Sequence, residues 1–97
     1  MNNLMKQAQK MQADMQKAQE EIEAAELTGT AGGGLVEVTL SGKKELLGIK
    51  IKPEAVDPDD IEMLEDLITA AFNDASSQAD ALSEEKLGAY GNMGGLL

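Results

Sequence analysis

Leu4, Ala8, Met11, Met15, Ala18, Ile22 and Ala25 recur along the chain at alternating steps of four and three residues. That is the a/d spacing of a heptad, held for about three repeats. At about 100° per residue these side chains form one narrow apolar stripe. Residues 3–26 are therefore predicted to form a helix. No Gly or Pro interrupts the stretch, and its Ala, Gln, Lys, Glu and Met are good helix formers. The period then changes. Val36, Val38 and Leu40 alternate with Glu37 and Thr39, and Leu47, Ile49 and Ile51 alternate in the same way. Residues 35–41 and 45–52 read as an antiparallel β-hairpin, with "SGKK" (41–44) at its turn and Pro53 at its end. Upstream of the hairpin, Gly29 reads as a helix stop, and Gly32, Gly33 and Gly34 as a flexible hinge.

From Pro58 to Leu87 the helical period returns. Ile61, Leu64, Ile68, Ala71, Ala75 and Leu82 keep the spacing of the stripe, and Leu67, Phe72 and Ala79 widen it, as packing on a sheet requires. This is one long helix, or two with a break at "NDASS" (73–77), whose side chains compete for backbone hydrogen bonds. Asp57 is the expected N-cap and Pro58 the first helical residue, with Asp59 and Asp60 at the positive end of the helix dipole. Gly88 is the expected stop. The chain thus reads as one domain over 1–87 with a flexible Gly-rich tail over 88–97.

The fold class is α+β: a long N-terminal helix, an antiparallel hairpin or small sheet, and a long C-terminal helix. The helices would each reach about 35–45 Å, more than a two-strand hairpin can cover, so their ends should project with exposed seams. The chain has 97 residues, and aromatics make up only 2% of it. Small chains with small cores are marginal alone, and two strands alone are marginal in water. There is no Cys to cross-link the chain, which leaves self-association as the ordinary remedy. Val36, Val38, Leu40, Leu47, Ile49, Ile51, Leu64, Ile68 and Phe72 are the candidates for the core and a homodimer interface.

The residues that are missing restrict the chemistry. The chain has neither His nor Cys. It therefore lacks a Ser-His-Asp or Cys-His arrangement and the soft ligands of a structural zinc. "DPDD" (57–60) lacks the glycine and the twelfth-position Glu of an EF-hand, and capping is the simpler use of its acids. The glycines of "LTGTAGGGLVEV" follow a helix and precede a strand, the reverse of a phosphate-cradling loop. No enzyme activity, cofactor, metal or small-molecule substrate is expected. No apolar run approaches the ~20 residues of a membrane span, and the first ten residues lack the apolar core of a signal peptide. The expected location is the cytoplasm. A membrane-surface helix over 3–19 has the lysines but not the bulky apolar face.

The formal net charge is −10, and it is segregated. Residues 1–19 carry Lys6, Lys10 and Lys17 against Asp14. Residues 43–52 carry Lys43, Lys44, Lys50 and Lys52 against Glu45. Residues 53–97 carry eleven acids against Lys86. Lys6, Lys10 and Lys17 fall within about 40° of one another on the first helix, away from the apolar stripe. A charged helix face is ordinarily a solvated face, and periodicity does not separate that role from a binding surface. Exposed charges more than ~8–10 Å apart are largely screened at physiological salt, so a local basic patch can meet phosphates despite the overall charge. The chain has no arginine, the usual bidentate reader of guanine. Any contact with DNA should therefore be to its backbone, with weak sequence preference.

"NLMKQAQKMQ", "MQKAQEEI", "TGTAGGGLVEVTLSGK", "IKIKPE" and "DPDDIEMLEDLITAAFNDA" together closely resemble the YbaB/EbfC family of bacterial nucleoid-associated proteins. The likeness covers residues 3–75, with "EEKLGAY" as a weaker continuation. It implies a tweezer-like homodimer whose first and last helices are arms, and binding of double-stranded DNA largely without sequence specificity. It also implies roles in nucleoid organisation and gene regulation. By position, Lys6, Gln7, Lys10 and Lys17 match the family's "MKQAQ…MQK" pattern on the first arm and are the candidate DNA contacts. Lys43 and Lys44 are secondary candidates. The last arm departs: where relatives often place basic residues, this chain has Ser76, Ser77, Gln78, Ala79 and Asp80. The alternative is an acidic helical dimer that grips another protein through its Met11/Met15 stripe and has little affinity for DNA.

Overall fold

The computed structural model describes the backbone of residues 2–94 and the side chains of residues 3–88. The chain runs α1 (Asn2–Ala24), β1 (Glu26–Ala31), β2 (Val36–Ser41), β3 (Leu46–Ile51), a 3-10 turn (Pro53–Ala55) and α2 (Ile61–Gly94). The strands form one antiparallel sheet in the order β1-β2-β3. This is the α+β arrangement expected of the sequence, with one more strand than the hairpin.

The additional strand, "ELTGTA", corrects two expectations. Gly29 does not end a helix; it lies mid-strand opposite Val38. Gly32, Gly33 and Gly34 are not a loose hinge. They take positive φ in the tight turn that joins β1 to β2, closed by the Gly34 N–H donating to the Ala31 carbonyl at 3.2 Å. The alternation in β1 exists but is written in small side chains. Leu27, Gly29 and Ala31 pair with Leu40, Val38 and Val36, so they share the face toward α2, while Thr28 and Thr30 point the other way. A Cβ on Gly29 would sit 2.2 Å from the Ala71 carbonyl oxygen and 2.4 Å from the Ala75 backbone nitrogen. Strand and helix meet backbone to backbone, and only glycine fits between them.

On that contact the core is built. Val36, Val38 and Leu40 of the central strand are fully buried, with Ala55 and with Ala71 and Ala75 of α2. Leu64, Leu67 and Ile68 are half-buried against them. Each of the three large side chains contributes about 1.5–3 kcal/mol by leaving water. The α2 helix crosses β1 and β2 and leaves β3 uncovered. The β2–β3 register shifts at Thr39/Leu40, which face Gly48 and Leu46, with Leu47 the extra residue. In the turn between these strands the Ser41 hydroxyl accepts the Lys43 and Glu45 N–H groups, each at 3.1 Å. Gly42 seats the end of α1: a Cβ there would lie 2.1 Å from the Ile22 carbonyl oxygen.

The start of α2 differs from expectation by three residues. Asp57 caps a turn, its Oδ1 accepting the Asp59 N–H at 2.9 Å. The N-cap is Asp60, whose Oδ1 accepts the Met63 N–H at 3.2 Å. The helix is unbroken at 73–77 and passes through Gly88 to Gly94; of the expected tail, residues 95–97 lie outside the described residues. The helix has 34 residues, a length of about 50 Å, and the molecule measures 70 × 23 × 17 Å along its principal axes.

Gly29→Ala should lower stability by at least ~1–3 kcal/mol through overpacking against a backbone that cannot yield. Gly48→Ala, whose Cβ would meet open space, should cost no more than about 0.5 kcal/mol. Urea unfolding of both variants measures the difference.

Candidate nucleic-acid interface

Among the described residues, α1 is buried only at its root. Ala18 and Ile22 are buried, Met15 and Ala25 are half-buried, and residues 3–14 are exposed throughout. α1 leads directly into β1, while α2 packs on the sheet at Ala71 and Ala75 and later reaches Glu21 of α1 through Lys86. The two helices thus run antiparallel, and the first turns of α1 stand clear of the sheet. The helix carries the seam seen in the sequence, with its Leu4 and Met11 uncovered. Lys6, Lys10 and Lys17 are exposed and lie about 120° round the helix from the seam, with Gln7 between.

Three ion pairs fasten the root and also decide which cations remain available. Lys43 pairs with Glu23 at 3.0 Å, Lys44 with Asp80 at 2.6 Å, and Lys86 with Glu21 at 2.9 Å. Together they tie α1, the β2–β3 turn and α2. The hydrogen bond and charge of Lys86 hold the Glu21 carboxyl below its usual range, and Glu21 raises Lys86 in turn. Exposed pairs of this kind contribute little to stability. Their consequence is electrostatic: Lys43 and Lys44, the secondary candidates, already face acids of their own chain. They also border a cleft of about 360 Å³ floored by Ile22, Ala79 and Leu87. Among the described residues, Lys6, Lys10, Lys17, Lys50 and Lys52 enter no ion pair. Sequence reasoning did not single out Lys50 and Lys52. Strand alternation places Lys50 opposite Glu37, on the sheet face away from α2.

A second surface is apolar. Ile49 and Ile51 pair with Val38 and Val36, so they share the face on which α2 packs, but α2 stops short of them. They remain 43% and 40% exposed, and Phe72 on the adjoining flank of α2 is 39% exposed. Leu46, Leu47, Val56 and Ile61 are exposed as well. Of the candidates for core and interface, Val36, Val38 and Leu40 thus form the core, and Leu64 and Ile68 border it. Leu47, Ile49, Ile51 and Phe72 face outward.

Known proteins resemble this one in sequence and in fold. The chain is similar to a nucleoid-associated protein of Agathobacter rectalis, 59% identical over 96 residues, covering 98% of this chain and 85% of the relative. A nucleoid-associated protein of Clostridium acetobutylicum is 61% identical over 80 residues, covering 82% of this chain and 71% of the relative. Among solved structures, that of an uncharacterized protein from Helicobacter pylori has a TM-score of 0.68 at 24% identity, covering 96% of this chain and 95% of that one, and shares the fold. The model of the YbaB/EbfC DNA-binding family matches residues 1–95, and the chain belongs to that family.

Proposed function

We propose that this chain is a nucleoid-associated protein that binds double-stranded DNA through its phosphate backbone, as a homodimer and largely without sequence preference. The observation that carries the reading is the division of the lysines. Three are matched by acids of the same chain; among the described residues Lys6, Lys10, Lys17, Lys50 and Lys52 enter no ion pair, and of these Lys6, Lys10 and Lys17 share one face of a helix that extends past the sheet. Duplex DNA presents one negative charge per ~1.7 Å of axis, and each lysine that meets a phosphate releases condensed counterions. The acids that give the chain its negative charge lie mostly in residues 53–97, and those beyond a Debye length are screened from the arm. Backbone contact by lysines, with no arginine to read base edges, favours weak sequence preference. Membership of the family and the names of the relatives support a place in the nucleoid, with roles in its organisation and in gene regulation.

The dimer reading rests on β3. It is an outer strand with an open edge, and its Ile49 and Ile51, with Phe72 of α2, form an apolar step that a second copy would cover. Two copies joined there would bring two lysine-bearing arms to one duplex, and the second engagement would be effectively intramolecular.

Two measurements test these statements. In fluorescence anisotropy with two unrelated duplexes, changing Lys6, Lys10 and Lys17 to Gln should weaken both alike. The slope of log affinity against log salt should flatten by about 0.9 for each phosphate no longer neutralised. Unchanged affinity and slope would remove the arm from the interface. In light scattering, the wild type should show twice the mass of one chain, and Ile49→Lys with Ile51→Lys should show the mass of one. A double variant that stays dimeric would place the interface elsewhere.

A further inference from the structure

The two outer strands of the sheet are treated differently. In an antiparallel ladder, alternate residues turn their N–H and C=O away from the partner strand. On β1 the outward residues are Glu26, Thr28 and Thr30, and Thr28 and Thr30 each have one of their two outward groups bonded to a side chain of α2. The Thr30 N–H donates to Asp74 Oδ2 at 3.0 Å, and the Thr28 carbonyl accepts from Gln78 Nε2 at 2.9 Å. The spacings match. Residues i and i+4 of a helix rise ~6 Å, and residues i and i+2 of a strand ~6.6 Å, so one helical turn spans one strand repeat. Gly29, between the two threonines, brings the strand against the α2 backbone, within reach of these short side chains. An incoming strand would need both the N–H and the C=O of Thr28 and Thr30, and Asp74 and Gln78 occupy one group of each. On β3, among the described residues, no hydrogen bond from outside the sheet reaches Ile49 or Ile51.

We propose that Asp74 and Gln78 close the β1 edge to strand addition, so that of the two edges of the described sheet β3 is the one open to a second copy and assembly through the sheet ends at two chains. The proposal rests on the homodimer reading for its end point, but edge closure itself does not. An unpaired strand edge is a template for further pairing. With both edges open, a chain that joins through β3 could also join through β1, and the assembly would not close. The "NDASS" stretch, the weakest helical segment by composition, supplies one of the two closing groups. Its Asp74 bonds a neighbouring strand rather than its own backbone.

The test is light scattering of Asp74→Ala combined with Gln78→Ala across a hundredfold range of concentration. The expected result is a mass above that of the wild type that grows with concentration. Asp74→Asn keeps an acceptor for the Thr30 N–H and should retain the wild-type mass. A folded double variant with wild-type mass at every concentration overturns the proposal. If the double variant lacks a cooperative melt, amide exchange on the single Asp74→Ala variant decides. Thr30 should exchange at least tenfold faster than in the wild type, with the Gly29 amide, which faces β2, unchanged. Equal Thr30 exchange in the two proteins overturns the proposal. A monomeric wild type would end the homodimer reading, and a gain in mass by the double variant would still support edge closure. A dimeric wild type with an unchanged double variant would end edge closure alone.

Discussion

The contact between Gly29 and the backbone of α2 sets the remaining geometry. Because strand and helix meet with no side chain between them, α2 lies low over β1 and β2, and small residues line its buried side at Ala71, Ala75 and Ala79. A helix seated that close cannot also cover β3. The same closeness lets Asp74 and Gln78 reach the β1 edge. One face of the sheet is thus half filled, and one edge takes two hydrogen bonds from α2 while, among the described residues, Ile49 and Ile51 on the other take none from outside the sheet. Gly42 plays the corresponding part for α1, admitting the Ile22 backbone at the root of the arm. Two glycines in close approach therefore position both helices on a sheet of three short strands.

Electrostatics then separates lysines that look alike in composition. Lys43, Lys44 and Lys86 lie where chain segments converge, and each has an acid within ion-pair distance. Lys6, Lys10 and Lys17 lie on α1, and among the described residues none of them has an acid within ion-pair distance. Segment charge alone ranks residues 43–52, with four lysines against Glu45, above residues 1–19, with three against Asp14; folding offsets that excess at the turn by bringing Glu23 and Asp80 to its two lysines. Ion pairs this exposed do little to hold the structure, yet they decide which ammonium groups remain for an outside polyanion.

Much of this was legible in the chain. The seam from Leu4 to Ala25 announced α1, and the alternation at Val36, Val38 and Leu40 announced the central strand, because large apolar side chains carry period information. β1 was not legible for the same reason: Gly29 and Ala31 face the core, but they are too small to register as an apolar face, and glycine ordinarily signals a turn. The cap of α2 was misplaced by three residues because four Asp and Pro residues in a row each suit a helix start, and only the backbone geometry selects Asp60. Gly88 suggested a stop, yet the helix continues to Gly94. The lysine face was visible as a stripe, but the pairing of Lys43 and Lys44 was not. It depends on Glu23 and Asp80, which are distant in sequence and which only the tertiary fold brings near.

DNA binding by this chain turns on whether the projecting half of α1, rather than the β2–β3 turn or the acidic helix, meets the duplex. Titrating isotopically labelled protein with a short duplex at low salt, and following each backbone amide by NMR, tests this directly. The largest shifts should fall within residues 3–17 and fade as salt is added. Shifts concentrated at residues 41–45, or along the first turns of α2, would contradict it.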